Sequence, residues 1–403
     1  ASMAAAVACR LETATSQPGQ PASGFRWSSS RLRRIETPAL TVPILLYVAA
    51  LALATAFSVD PRLSFWGPPG SRHGALTILC AGIFSLLLAN ALTTRQQVER
   101  STLALVLRSV PVAVYGLAQA AGLDPLRLTT DSVSPVLSTL GRSNFLGAYL
   151  AVIIPFTMAR LVVTAPAKKQ AWGYAIVLAM QVACLILTLA RAALLAALAG
   201  SLVLLGLLAR RRRSWRLAAI LIVVLVVGSA WSVVMETLSP LPAAPPASQP
   251  AAPAFVELRA ASVAARGVIW QAALRLIPAR WLLGYGPETF ASVFMAHYPA
   301  SLAQYQAPAV VVDDAHNLAL DALMASGLLG LLALLAVVLG FYGLALRAWR
   351  QARDSFWQVT TAAILAGMTA WLVQAQFNPQ VIVLVMLFWL LLALAAASSR
   401  LVV

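Results

Sequence analysis

The chain has 403 residues, of which 61% are hydrophobic and 10% are charged, and its mean hydropathy is +0.83. Soluble domains carry about 25% charged and about 45–50% apolar residues, so the composition excludes a string of soluble domains and predicts an integral membrane protein. Lys and Arg outnumber Asp and Glu by 29 to 13, which gives a net charge of +16. Such an excess in a membrane protein is typical of cytoplasmic loops, and we expect no nucleic-acid partner. The three cysteines, Cys9, Cys80 and Cys184, exclude a disulfide framework.

Ten apolar stretches have the length near 20 residues that a bilayer core of about 30 Å requires. They lie at approximately 40–59, 74–92, 100–120, 144–163, 170–189, 191–209, 215–235, 317–346, 356–375 and 379–399. The sequence therefore predicts an all-α polytopic membrane protein. Its predicted regions are a disordered cytoplasmic tail at 1–37, N-terminal transmembrane helices at 38–235, one large outer loop at 236–315 and C-terminal transmembrane helices at 316–403.

Basic residues concentrate in alternate connections between these stretches. They are Arg26, Arg31, Arg33 and Arg34, then Arg95 and Arg100, then Lys168 and Lys169, then Arg210, Arg211, Arg212, Arg213 and Arg216, then Arg347, Arg350 and Arg353, and finally Arg400. The intervening connections, at 60–73, 122–143 and 236–315, are acidic or mixed. Because cytoplasmic loops carry the excess of Lys and Arg, both termini are predicted to be cytoplasmic and the large loop to lie outside.

The large outer loop begins with a Pro-rich run at 239–255, which is typical of a flexible spacer. Residues 257–277 then predict an amphipathic helix that ends at Pro278. Helical spacing places four apolar residues on one stripe: Val263, Trp270, Leu274 and Ile277. Arg259 and Arg266 lie on or beside that stripe, and Arg275 points away.

If the stripe docks on the membrane domain, Arg266 faces the domain surface, where a desolvated guanidinium favours an anion. The alternative is a helix at the membrane interface whose arginines reach the lipid headgroups.

His316 lies where the large loop enters the eighth stretch, in VVDDAHNLALDALMASGLLG (311–330). Asp313 and Asp314 precede it, and Asp321 follows one helical turn later. A carboxylate within reach would fix the imidazole tautomer and strengthen it as a base. A divalent-metal site is an alternative, but no second histidine or carboxylate cluster accompanies the motif and no metal is expected. A second alternative is a helix cap formed by the two aspartates beside a solvated histidine.

Two further arginines lie at the outer ends of predicted helices. Arg191 interrupts the apolar run ACLILTLARAALLAALAG (183–200), and a charge in such a place is a functional hypothesis by default. Arg142, in STLGRSNFLGAYL (138–150), is a weaker candidate. The alternatives are side chains that reach the headgroups or simply anchor the helix at the interface.

Gly284, Tyr285 and Gly286 form a predicted turn in WLLGYGPETF (281–290). It is not a phosphate-binding loop, because no Lys-Ser/Thr pair follows and no strand precedes it. Tyr285 either stacks on a sugar or packs on the membrane domain.

Two or three arginines and one histidine on the outer face suit a substrate that carries a pyrophosphate at the membrane surface. Arginines neutralise a departing diphosphate, and a histidine takes a proton from an attacking hydroxyl. No ATP-binding motif is present in the sequence, so the donor is expected to be already activated.

Four segments, at 141–155, 188–200, 265–290 and 313–330, resemble the O-antigen ligase and polymerase superfamily of bacterial inner-membrane glycan transferases. The resemblance covers the middle and C-terminal two-thirds of the chain. It implies a fold like that of the C-type glycosyltransferases with about 10–12 transmembrane helices, so further short helices are expected in 122–140 or in the eighth stretch.

For the ligases, the resemblance implies metal-independent transfer of a glycan from undecaprenyl pyrophosphate to a sugar hydroxyl of the lipid A core. Two arginines and one histidine are essential in that pattern, and they fall on Arg191, Arg266 and His316. The spacing from His316 to Gly327 also matches that of the ligases. Five more residues are predicted to bind substrate: Arg142, Arg259, Tyr285, Asp313 and Asp314.

The expected partners are a donor carrying O-antigen on undecaprenyl pyrophosphate, a lipid A–core acceptor and membrane lipid, with no cofactor. The expected location is the bacterial inner membrane, with the active site facing the periplasm. A repeat-unit polymerase, a protein O-oligosaccharyltransferase and a lipid-linked glycan flippase or exporter are the alternatives. The single large outer loop favours a ligase over a repeat-unit polymerase. The end of the chain directly after a span favours it over a protein O-oligosaccharyltransferase, and the charges gathered on one face favour it over a flippase or exporter.

Overall fold

The computed structural model describes residues 40–69, 73–124, 134, 136–164, 168–210, 255–305 and 311–402, without the side chains of 168 and 255–263. The tail predicted at 1–37, the stretch at 215–235 and all of the Pro-rich run except its last residue lie outside the described residues.

The described residues form twelve α-helices. They are α1 (Thr41–Ala56), α2 (Pro61–Trp66), α3 (Ala75–Ala91), α4 (Arg95–Ala120), α5 (Ser143–Thr164), α6 (Lys168–Leu187), α7 (Arg191–Ala209), α8 (Phe255–Leu276), α9 (Phe290–Ala296), α10 (Leu318–Gln351), α11 (Ser355–Gln374) and α12 (Ile382–Leu401). Short 3₁₀ turns occur at Ser138–Leu140, Ile277–Arg280 and Ala300–Gln304.

Nine of the ten predicted apolar stretches are helices in the described part of the chain. Seven of the described helices are long and apolar enough to cross a membrane, and α1 and α3 are shorter apolar helices. No strand occurs among the described residues. The predicted class, an all-α polytopic membrane protein, is confirmed.

Helices α5 and α11 form the centre of the bundle, with α7 packed against both. Small residues let these helices approach closely, as is common between transmembrane helices. A Cβ added at Gly200 would lie 2.8 Å from the carbonyl oxygen of Ala366, and one added at Gly147 would lie 2.7 Å from the Cβ of Ala193. The central helices are therefore held in fixed register by close contact.

Helix α10 is interrupted at Gly327, whose φ of 61° and ψ of −162° are not helical. The backbone groups around this break bond to residues 281–286: the N–H of Leu328 donates to Trp281 O (2.8 Å) and the N–H of Tyr285 donates to Met324 O (2.7 Å). A helix can break in a membrane protein only where other groups satisfy its backbone. The outer-loop turn at 281–286 supplies those groups.

The two ends of α11 differ in chemistry. At its N-terminal end Asp354 pairs with Arg95 (2.6 Å), and nearby helix ends carry the pair Arg160–Glu99 (3.1 Å). At the C-terminal end Ala375 O accepts the N–H of Leu318, the first residue of α10 (3.0 Å). The His316 loop therefore lies at one end of α11 and a group of basic residues at the other.

Candidate active site at the start of α10

His316 is held in an unusual backbone conformation by two carboxylates. Its φ is 56°, in the left-handed region that residues other than glycine rarely adopt. Asp314 Oδ1 accepts the backbone N–H of His316 (2.7 Å) and also contacts the imidazole Nδ1. Asp321 accepts the N–H groups of the residues on either side, Ala315 (2.7 Å) and Asn317 (3.2 Å).

The helix cap is formed by Asn317, not by the aspartates. Its side-chain oxygen accepts the N–H groups of Ala319 and Leu320, both at 3.1 Å. Asp313 is exposed, whereas Asp314 is half-buried and touches the imidazole. The alternative of an aspartate cap is wrong, and of the two aspartates predicted to orient His316 the structure places Asp314 against the ring.

The helix predicted at 257–277 is α8, which ends at Leu276 and passes into the 3₁₀ turn that contains Pro278. Trp270 Nε1 donates to Ala315 O (2.8 Å), so α8 is tied directly to the His316 loop. This hydrogen bond fixes the position of the outer-loop helix beside the candidate base.

The prediction of which face of α8 is buried is wrong by about one residue. Leu274 is 55% exposed, and the buried face consists of Ala265, Ile269 and Ala273. This face packs on a small core that includes Phe294, Leu302 and Ala315. The alanines allow closer approach than the larger apolar residues would, which rotates the buried face away from Leu274. The side chain of Val263 lies outside the described part of the helix, and Ile277 and Trp270 are half-buried at its edge.

Arg266 lies half-buried beside the His316 loop. Burial lowers the pKa of its guanidinium, and the negative charge of Asp314 acts in the opposite direction. Arg275, on the same helix, is exposed and points away, as predicted. The structure therefore brings Arg266, Asp314 and His316 together.

The pKa of His316 is raised above its usual value, although burial of the ring alone would lower it. The hydrogen bond and the negative charge of Asp314 outweigh both the burial and the positive charge of Arg266. Because Asp314 contacts Nδ1, the neutral ring carries its proton there and leaves Nε2 as the acceptor.

Arg191 is the first residue of α7 and is exposed, directly after a chain reversal at Leu189 with φ 56°. Helix α7 packs along α11, whose C-terminal end also holds the start of α10. The start of α7 packs on the start of α5, and Gly200, further along α7, meets Ala366 and Ala370 of α11. Arg191 and His316 therefore both lie at the C-terminal end of α11.

The remaining predicted residues lie at three different places. Arg142 is exposed, with its Cζ 5.9 Å from the centre of the Phe145 ring. Arg259 is part of α8, but its side chain lies outside the described residues. The hydroxyl of Tyr285 donates to Leu276 O (2.8 Å). Tyr285 thus packs within the protein at the break of α10, and a role in sugar stacking stays a prediction.

Glu288 was not predicted from the sequence. It is half-buried two residues after the Gly-Tyr-Gly turn, with a φ of 61°. Burial, together with the charges of Asp314 and Asp313, raises the pKa of its carboxyl to about 7. Its position after a glycine turn is the one sequence feature that singles it out. Among the described residues, no group of three or more His, Cys, Asp and Glu side chains could hold a metal ion.

Residues 174–335 match the family described as O-antigen ligase. The matched region contains Arg191, the whole of α8, the His316 loop and the break at Gly327. A search of curated proteins gave no match to this chain. Over these residues the chain is similar to the O-antigen ligase family, and the matched region lies within a bundle of apolar helices that are long enough to cross a membrane.

Proposed function

We propose that the protein is an O-antigen ligase, which transfers a glycan from a lipid-linked diphosphate donor to a sugar hydroxyl of an acceptor at the outer face of the membrane. The observation that carries this proposal is the grouping of Arg266, Asp314 and His316 at the edge of the membrane domain. An anion-binding side chain and a proton acceptor side by side are what transfer from a diphosphate to a hydroxyl requires.

The proposed reaction is a single inverting displacement without a metal. His316 Nε2 takes the proton of the acceptor hydroxyl while the hydroxyl oxygen attacks the anomeric carbon of the donor sugar. The bond from that carbon to the diphosphate oxygen breaks, and its electron pair leaves with the diphosphate. Arg266 and Arg191 bind the diphosphate and stabilise its developing charge. Asp314 keeps the imidazole in the tautomer that can accept the proton.

The family resemblance supplies the identities of the substrates in this proposal. The donor is undecaprenyl pyrophosphate carrying O-antigen, and the acceptor is the lipid A core. The reaction takes place at the periplasmic face of the bacterial inner membrane. The half-buried position of Arg266 beside apolar helices supports a donor whose hydrocarbon tail lies along the membrane domain.

Reconstituted transfer tests the proposal. The purified full chain is supplied with lipid-linked O-antigen and lipid A–core in the presence of a chelator, and His316→Ala is compared with His297→Ala. His297 is a matched control because it lies on the same side, at the end of α9, and its Nδ1 contacts Val293 O instead (2.9 Å). We expect wild type and His297→Ala to attach glycan to the core and His316→Ala to lose at least about 100-fold in rate.

Three results would contradict the proposal. Growth of polymer on the donor lipid with none on the core would indicate a repeat-unit polymerase. Loss of transfer on chelation would indicate a metal-dependent reaction. If no glycosidic bond forms under any condition, a transporter of lipid-linked glycans becomes the better explanation.

A further inference from the structure

A cavity of about 190 Å³ lies next to the His316 loop. Four of its polar lining residues come from loops and helix ends on the His316 side: His73, Glu288, Asp321 and Gln380. Two more, Tyr47 and Ser326, lie within helices. Its apolar lining comes from within the helices and includes three large aromatic side chains, Trp371, Phe388 and Trp389. The cavity therefore joins a polar rim to an aromatic interior.

The cavity and the candidate base share one residue. Asp321 lines the cavity, and its carboxylate also accepts the two N–H groups that flank His316. Glu288, which also lines the cavity, is close enough to Asp313 and Asp314 for their charges to act on it. A molecule in the cavity is therefore next to the loop that presents His316.

The charges around the loop separate two kinds of ligand. Arg266 offers a positive, partly desolvated group that suits a diphosphate. The cavity presents two carboxyl groups, Glu288 and Asp321, which repel an anion at short range whenever they are ionised. A neutral ligand that is rich in hydroxyls avoids this repulsion and can form hydrogen bonds with both carboxyls.

The amide of Gln380, which lines the cavity, also favours hydroxyls over phosphate. Gln380 accepts a hydrogen bond from Gln374 Nε2 (3.3 Å). Hydroxyl groups donate and accept, so they match a mixed set of amide acceptors and donors. A phosphate oxygen matches only the donors.

We propose that this cavity binds the acceptor sugar, with Glu288 and Asp321 holding its hydroxyls and the aromatic side chains packing on its apolar face. The inference rests on the proposed function and adds the place of the acceptor to it. The volume is below the approximately 300–1,000 Å³ of sites for drug-sized ligands. It suits a single sugar ring.

The chemistry of Glu288 supports this assignment. Its pKa is raised to about 7 by burial and by the charges of Asp314 and Asp313, so at neutral pH its carboxyl occurs in both protonation states and both accepts and donates. Its φ of 61° is a strained conformation for a residue with a Cβ, and such strain is typical of functional sites.

Binding of each substrate by itself tests the proposal. The wild-type full chain, Ala322→Leu and Ala336→Leu are titrated in lipid nanodiscs with two probes: lipopolysaccharide that lacks O-antigen, and undecaprenyl diphosphate. Ala322 lines the cavity, and leucine there fills part of it. Ala336 lies on the same helix, half-buried and away from the cavity lining, so it receives the same added volume as a control.

We expect Ala322→Leu to weaken binding of the lipopolysaccharide about tenfold and to leave binding of undecaprenyl diphosphate unchanged. We expect Ala336→Leu to bind both probes as the wild type does. Glu288→Gln, which keeps the size of the side chain, should also weaken only the lipopolysaccharide. Unchanged lipopolysaccharide binding in both Ala322→Leu and Glu288→Gln would overturn the proposal, as would a loss confined to the diphosphate. Transfer is not measured in these titrations, so failure of the ligase reaction is recognised separately by the reconstituted assay.

Discussion

The side chains of Asp314 and Asp321 contact the His316 loop in different ways. Asp314 touches the imidazole itself, whereas Asp321 binds the backbone N–H groups before and after the histidine. The first therefore controls the chemistry of the ring and the second controls its position. This division makes Asp314 the residue whose loss should change a pH profile, because its carboxylate contacts Nδ1 and raises the pKa of the ring.

We expect Asp314→Asn to move the acid limb of the transfer rate to lower pH. In the wild type the raised pKa of His316 means that the neutral base is present only above that raised value, so the rate falls as the pH drops through it. Without the carboxylate, burial and Arg266 remain, and both lower the pKa. The maximal rate should also fall by at least about tenfold, because an amide does not fix the required tautomer.

The measurement is a pH–rate profile of glycan transfer for wild type, Asp314→Asn and Asp313→Asn. Asp313 is an exposed neighbour of the same charge that does not touch the ring, so its loss should move the profile less. An acid limb that stays in place in Asp314→Asn would show that a group other than His316 sets it.

Arg266 should not be replaceable by lysine. A lysine places a point charge at this position but not the planar fork that binds two diphosphate oxygens at once. We expect Arg266→Lys to lower the rate of transfer about tenfold or more, since a hydrogen bond to a charged group is worth about 1.5–3 kcal/mol. Arg275→Lys, on the exposed face of α8, is the control and should keep the wild-type rate. Equal rates in the two variants would argue against the diphosphate clamp.

At the level of elements, the turn at 281–286 and α10 pack backbone against backbone at two glycines. Gly284 and Gly327 both have positive φ. A Cβ on Gly284 would lie 2.7 Å from the nitrogen of Gly327, and one on Gly327 would lie 2.5 Å from the nitrogen of Leu283. The spacing from His316 to Gly327 has a structural explanation. The segment that begins at the histidine ends at the break in α10, where the backbone of the turn at 281–286 packs against the helix.

We expect Gly327→Ala to destabilise the protein strongly. Its φ and ψ lie in a region that is nearly restricted to glycine, with a strain of about 1–3 kcal/mol for other residues, and the added Cβ would meet backbone atoms that cannot yield easily. Gly343→Ala is a matched control in the same helix, because nothing lies within 4 Å of its Cβ position. This control should gain about 0.5–1 kcal/mol of helix stability.

Thermal unfolding of the two variants in nanodiscs measures this difference. The apparent midpoint should fall for Gly327→Ala and stay level or rise for Gly343→Ala. An unfolding midpoint equal to that of the wild type in Gly327→Ala would contradict this expectation. It would mean that α10 can become a regular helix at residue 327 without losing stability and that the turn at 281–286 can pack against an unbroken helix.

Helix positions could be predicted from the sequence, but the contacts that build the candidate site could not. Long apolar runs mark α5 and α7 because a span must be apolar along its whole length. By contrast, the buried face of α8 depends on which residues of other elements contact it. Ala273 is buried in the same cluster as Phe294, whereas its neighbour Leu274 is exposed. Glu288 follows a turn whose carbonyl groups accept hydrogen bonds from Ser58, just after α1, and from Ser64 in α2. These partners lie more than 220 residues away in the sequence, so no local pattern records them.

At the level of the whole molecule, charges are sorted between the two ends of the helix bundle. One end carries the contacts Arg95–Asp354, Arg160–Glu99 and that of Arg400 with Ala89 O. The other carries the His316 loop, α8 and the turn at 281–286. Arg280, directly before that turn, donates a hydrogen bond to Phe57 O at the end of α1 (2.8 Å). Because cytoplasmic ends carry the excess of Arg and Lys, this arrangement predicts that the His316 end faces the periplasm.

Labelling of single cysteines tests that orientation. In a chain whose own cysteines are replaced by serine, Ser301→Cys places a thiol in the exposed 3₁₀ turn on the His316 side, and Gln351→Cys places one at the exposed far end of α10. A membrane-impermeant maleimide applied to intact spheroplasts should label Ser301→Cys and reach Gln351→Cys only after the membrane is permeabilised. The reverse pattern would put His316 in the cytoplasm, where a lipid A–core acceptor displayed at the outer face could not reach it. The positive-inside assignment and the proposed site of transfer would then fail together, because both depend on the same face of the bundle being outside.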